Sequence, residues 1–137
     1  MKKKVGLMQR NHVKLISMDT IPIEEVKWLL YPFIPLGKIT ILQGDPGEGK
    51  TTLALQIIAA LTTGKPVWEG APPMEPVNVI YQTAEDGLSD TIKPRLVAAG
   101  ADCARVMVID DSDRVLKLDD DRLEQAIEQT GARLVVL

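Results

Sequence analysis

Gly44-Asp45-Pro46-Gly47-Glu48-Gly49-Lys50-Thr51 is the stretch on which the reading of this chain turns. It fits G-x-x-x-x-G-K-[ST], a loop built to hold phosphate. The residues before it, Lys38-Ile39-Thr40-Ile41-Leu42-Gln43, read as a short buried strand. Those after it, 52–62, read as a helix with an apolar stripe at Leu53, Ile57, Ile58 and Leu61. Strand, glycine loop and helix are the context the motif requires. Glycines let the backbone curl until successive N–H groups face one anion. The helix N-terminus adds partial positive charge at the same point.

Each residue of the loop then has an expected part. Backbone groups from Gly44, Asp45, Pro46, Gly47, Glu48 and Gly49 through Lys50, Thr51 and Thr52 would line the bound nucleotide. Lys50 would reach the β- and γ-phosphates as a point charge. The Thr51 hydroxyl would hold Mg²⁺, whose other ligands are mostly water and phosphate oxygen. ATP and Mg²⁺ are therefore the expected ligands. Glycine makes up only about 7% of average sequence, so a chance match at the four fixed positions occurs in well under roughly one chain in a hundred.

A chain of 137 residues is one domain or part of one. At 45% hydrophobic and 26% charged it can bury a core. Its net charge of −3 gives no global electrostatic case for nucleic acid. Met1-Lys2-Lys3-Lys4 is followed by no apolar run of signal-peptide length, since Gln9, Arg10, Asn11 and His12 interrupt it. No stretch approaches the roughly 20 apolar residues of a membrane span. The single Cys103 excludes an intrachain disulfide. Together these point to the cytoplasm.

Residues 1–24 read as an N-terminal arm, and 25–137 as the domain that carries the glycine loop. The basic start is either a solvated end or a contact for a phosphate backbone. Asp19 is placed to cap a turn at 21–26. Residues 27–37 carry most of the aromatics and two prolines, Pro32 and Pro35, which forbid a regular helix. The segment is expected to lie extended along one flank of the sheet until Gly37 turns it. Trp28, Tyr31 and Phe33 either pack in the core or offer a ring to the adenine.

Gly64-Lys65-Pro66 ends the first helix. A Pro-rich loop over 64–76 follows, with Trp68 folded across it. Val77-Asn78-Val79-Ile80-Tyr81 reads as a second buried strand leading into Gln82-Thr83-Ala84-Glu85-Asp86-Gly87. A helix over 88–99 has Ile92, Leu96 and Ala99 as its apolar positions, and Pro94 must sit in its first turn or kink it. Residues 105–109 read as a third strand and Asp110–Asp113 as an acidic turn. Asp119-Asp120-Asp121 opens a helix through about Gln129, with Leu123, Ala126 and Ile127 inward. Carboxylates there suit capping; a metal site is the alternative use of the run. Ala132–Leu137 reads as a fourth strand. Alternating strands and helices of these lengths predict an α/β fold, a parallel sheet flanked by helices on both faces. Right-handed crossovers put the glycine loop at the carboxyl edge of that sheet. Glu85 follows the second strand to the same edge. There it either polarises a water attacking the γ-phosphate or serves as a loop acid.

Residues 39–60, 79–87 and Pro94-Arg95-Leu96 resemble the RecA/DnaB-like P-loop ATPases. The nearest likeness is to RepA-type hexameric helicases and the group known as AAA family ATPases. Three stretches carry it: 44–54, Tyr81 through Ala84-Glu85-Asp86, and the lead-in Tyr31-Pro32-Phe33-Ile34-Pro35-Leu36-Gly37-Lys38. The resemblance implies a RecA-like core, ATP hydrolysis, a DNA substrate and a homo-oligomeric ring. It also implies that Glu85 is similar to the catalytic glutamate that activates water. Members of that family continue past the strand matching Leu134–Leu137 into a Walker B aspartate, then a sensor strand, DNA-binding loops and an arginine finger. The chain is accordingly expected to be the N-terminal portion of a larger ATPase, inactive by itself. It would leave strand edges unpaired at 39–43 and 132–137.

A small-molecule P-loop kinase is the runner-up, although no Arg-rich lid is evident. ParA-type ATPases carry an early second lysine where Asp45 stands, and GTPases need an Asn-Lys-x-Asp that is missing here. A non-catalytic nucleotide-binding remnant is the third alternative.

Overall fold

The computed structural model describes residues 11–84 and 86–137. Its centre is a parallel three-stranded sheet of β3 (Val79–Tyr81), β4 (Val106–Met107) and β5 (Leu134–Val136), with β3 in the middle. Val79 pairs with Val106 on one side and Leu134 on the other, and Tyr81 pairs with Val136. Every residue of β3 is buried. A middle strand covered on both faces has no use for a polar side, which is why this segment is apolar without alternation.

Two helices cover the face of β3 that carries Val79 and Tyr81. Leu55 and Ile58 come from α1 (Lys50–Thr63), and Leu96 from α2 (Lys93–Ala98). Ile92, in the π-helical turn Leu88–Ile92 before α2, completes the cluster. Burial of this set supplies the main stabilisation, at about 25 cal/mol for each Å² of apolar surface removed from water. Pro94 explains the π turn. It has no N–H to return to the carbonyl four residues back, and the bonds of the preceding turn run instead from Ile92 N–H to Gly87 O and from Lys93 N–H to Leu88 O. The α/β class, with parallel strands and flanking helices, is as expected.

The C-terminal end of α1 is tied down by its neighbours. Thr62, fully buried, donates to Ile58 O and accepts from Asp102 N–H at 3.2 Å. Val77 N–H donates to Leu61 O. Gly64 ends the helix at φ 73°, and a Cβ there would stand 2.5 Å from Met74 O, so both backbone conformation and space demand glycine. α3 (Asp121–Thr130) is capped by Asp120, whose side chain accepts from Arg122 N–H. Gly131 closes it in the left-handed conformation.

Several expectations need correction. Lys38–Gln43 forms no strand, and Ile39 and Ile41 are 82% and 81% exposed. The alternation suits a strand, but a strand needs a ladder partner; β3 is already paired on both sides, and the segment does not join the outer edge of β4 or β5. Residues 27–37 are not one extended run. They fold into a hairpin of β1 (Trp28–Leu30) and β2 (Ile34–Pro35), antiparallel, through a turn holding the cis Tyr31–Pro32 bond.

The aromatic side chains of this hairpin do not enter the core: Trp28, Tyr31 and Phe33 are all exposed. Trp28 meets Tyr31 edge to face, and Phe33 meets Trp68 in the same way across the chain. The turn near Asp19 lies at Met18–Thr20, ahead of the expected one, with Asp19 inside it. On α1 the buried face runs through Leu55 and Ile58, and Leu53 is 45% exposed. That helix is apolar around most of its circumference, so its neighbours rather than its periodicity choose the face. Ala99 is exposed rather than inward. Ile127 of α3 is 36% exposed, and α3 buries no residue fully.

Candidate functional site

The glycine loop is built from two local devices. Asp45-Pro46-Gly47-Glu48 is a tight turn in which Glu48 N–H donates to Asp45 O at 3.2 Å. Pro46 presets φ at the second position and Gly47 takes φ 85° at the third, the pattern of a type II turn. Gly49 then adopts the left-handed conformation, φ 84° and ψ 23°, and stands at the N-cap of α1. The first helical bond runs from Leu53 N–H to Gly49 O at 2.9 Å.

No side chain caps α1. An α-helix leaves its first N–H groups without intrahelical partners. Those of Lys50, Thr51 and Thr52 therefore face the loop with the positive end of the helix dipole behind them. This is the chemistry of an anion site. Lys50 adds a full charge: its Nζ donates to Gly44 O, and the side chain lies half-buried across the loop. A Cβ on Gly44 would lie 2.6 Å from Glu48 Oε2 and 3.6 Å from the Lys50 stem, so the Glu48 carboxylate and the lysine both lie over this glycine. Glycines that admit close approach, an uncapped helix and a lysine at its start fit a phosphate-bearing nucleotide. Thr51, half-buried at the first turn, offers a hydroxyl suited to Mg²⁺.

The second element is the carboxyl end of β3. Gln82 leaves the strand with its backbone N–H donating to Val136 O at 2.8 Å. Its side-chain amide donates to Ile109 O and accepts from Ile109 N–H, both at 3.1 Å. One residue thus bridges β5 and the segment after β4, and so holds the exit of β3. Tyr81, just before it, has its phenol pKa pushed up, first by burial and then by the negative charge of Asp86, against a smaller opposing effect of Arg95. Asp86 and Arg95 therefore stand near this strand end. Glu85 lies outside the described residues. Gly87 marks the end of the turn, where Thr91 and Ile92 N–H both return to its carbonyl.

The structure thus brings Gly44, Glu48 and Lys50 into one loop by local geometry. Among the described residues no hydrogen bond or ion pair joins Lys50 to Asp86. Sequence reasoning overlooked the Gln82 bridge. The one available signal was an amide side chain directly after a buried apolar strand. Within the acidic run Asp119-Asp120-Asp121, Asp120 caps α3, and no group of metal-ligating side chains occurs among the described residues.

Residues 7–137 match the family described as the AAA domain, and the chain belongs to that family. Its members are P-loop ATPases, which makes nucleotide binding the shared property of the chain's class. Among curated proteins, a 67-residue stretch is 31% identical to the NFX1-type zinc finger-containing protein 1 of Mus musculus. The Homo sapiens protein of the same name is 30% identical over 67 residues. Each match covers 49% of this chain but only 4% of the relative, so the chain spans a small piece of those proteins. No solved structure matches at a significant level. No helix among the described residues is long and apolar enough to cross a membrane.

Proposed function

We propose that this chain is the ATP-binding portion of a RecA-like motor ATPase that acts on DNA as a ring, in the manner of RepA-type helicases. The observation that carries the nucleotide reading is the start of α1: a left-handed Gly49, no capping side chain, and Lys50 folded across Gly44. The DNA and ring assignments rest on the resemblance of residues 31–38, 44–54 and 81–86 to that helicase group.

In this reading the N–H groups of 44–52, apart from Pro46, which has none, cradle the phosphates and Lys50 leaves Gly44 O to pair with them. Thr51 Oγ1 would hold the metal. Mg²⁺, when bound, neutralises charge that builds on the phosphate oxygens during transfer. Glu85, three residues beyond the Gln82 bridge, takes the proton of the attacking water as general base.

The test is an ATP titration of wild type and Lys50→Ala. Loss of a charge-assisted contact of about 1.5–3 kcal/mol lowers affinity by roughly one to two decades. Equal affinity in the two proteins would sink the assignment.

A further inference from the structure

We propose that the Glu48 side chain is an internal anion that competes with nucleotide phosphate for the glycine loop and so sets the affinity of the site. Glu48 occupies the variable position before Gly49-Lys50. Its Oε2 accepts the Asp45 N–H at 2.8 Å. The same oxygen lies 2.6 Å from the point where a Cβ on Gly44 would stand, so the carboxylate hangs directly over the first glycine of the motif. The Lys50 stem approaches that point to 3.6 Å, with Nζ bound to Gly44 O. Acid and lysine therefore close over Gly44 together, and among the described residues no ion pair joins them.

This arrangement deepens the nucleotide reading and rests on it. A loop N–H that an incoming phosphate would use is already given to a carboxylate. Two routes are open when phosphate enters. Glu48 swings out, which loses a charge-assisted hydrogen bond, or it stays and faces a polyanion at close range. Both lower affinity. Glu48 is exposed, so swinging out meets no steric barrier, and its carboxylate has no second hydrogen-bond partner among the described residues. The loop thus carries a weak internal ligand that a metal-bound nucleotide must displace. Inorganic phosphate, with fewer contacts elsewhere, is held off more effectively.

The test compares wild type, Glu48→Gln, Glu48→Ala and Lys50→Ala by calorimetric titration with ATP and Mg²⁺. Glu48→Gln keeps the shape and removes the charge; Glu48→Ala removes both charge and contact. Both variants should bind ATP about fivefold more tightly, the size expected for an exposed charged pair. In the nucleotide-free chain, amide exchange at Asp45 should be faster in Glu48→Ala than in wild type. Unchanged or weaker ATP binding in either Glu48 variant overturns the inference, as does unchanged Asp45 exchange. The two readings fail separately. If Lys50→Ala loses affinity while the Glu48 variants match wild type, the inference alone falls. If Lys50→Ala binds as wild type does, the nucleotide reading falls and takes the inference with it.

Discussion

The side-chain amide of Gln82 pairs with the backbone of Ile109 in both directions, at 3.1 Å each way, as a neighbouring strand residue would. The ladder between β3 and β4 spans only Val79–Val106 and Ile80–Met107. The Gln82 amide continues that connection past the end of β4 with side-chain atoms. Gln82→Ala should therefore lower stability by about 1–2 kcal/mol, since half-buried backbone groups of Ile109 lose their partners. Gln82→Glu keeps an acceptor for Ile109 N–H but sets an oxygen against Ile109 O, and should also destabilise. Urea unfolding of the three proteins checks this. A midpoint unmoved in both variants would mean that water replaces the bridge without cost.

Glu85 is tested through chemistry, in a protein that carries this domain and turns over ATP. Glu85→Gln retains size and hydrogen bonding but cannot accept the proton. ATP affinity should stay as in wild type while hydrolysis falls about a hundredfold or more. Intact turnover would make Glu85 a loop acid and place the base elsewhere.

Asp120 links acid stability to the start of α3. Its carboxyl is held well below the usual carboxylate range, first by the side-chain hydrogen bond from Arg122 and then by the Arg122 backbone N–H. A carboxyl whose folded pKa is depressed adds stability above its unfolded pKa of about 3.9, and loses it as pH falls from there toward the folded value. Asn is nearly as good an N-cap, so Asp120→Asn removes the charge and keeps the cap. Wild type should be the more stable protein at pH 7. The gap should narrow as pH is lowered from about 5 toward 2. Thermal melts of both proteins across that range provide the check, and a gap constant with pH would refute the linkage.

The exposed run around Ile39 and Ile41 predicts association. Both side chains face solvent on a stretch that joins no strand ladder among the described residues, and β5 stands at the sheet edge. Exposed apolar residues on strand-prone backbone template pairing with another chain. Light scattering of residues 1–137 should show mass rising with concentration, and the double variant Ile39→Lys, Ile41→Lys should suppress it. A monodisperse monomer at every concentration would dispose of this prediction.

The glycine loop, the start of α1, the burial of β3 and the helix ends at Gly64 and Gly131 were all legible in the sequence. Each depends on short-range backbone chemistry. A positive φ needs glycine, Pro46 presets its own turn, and an apolar run without alternation signals cover on both faces. Tertiary structure decided the remainder. Lys38–Gln43 has the composition of a strand but forms none, because a ladder needs a partner from elsewhere in the chain. Leu55 rather than Leu53 faces the core, because α1 is apolar on several sides and β3 with α2 determines which side is covered. Trp28, Tyr31 and Phe33 stay outside on a hairpin that no periodicity announced. Gln82 meets Ile109 across 27 residues of sequence, a contact that exists only once β3 and β4 lie side by side.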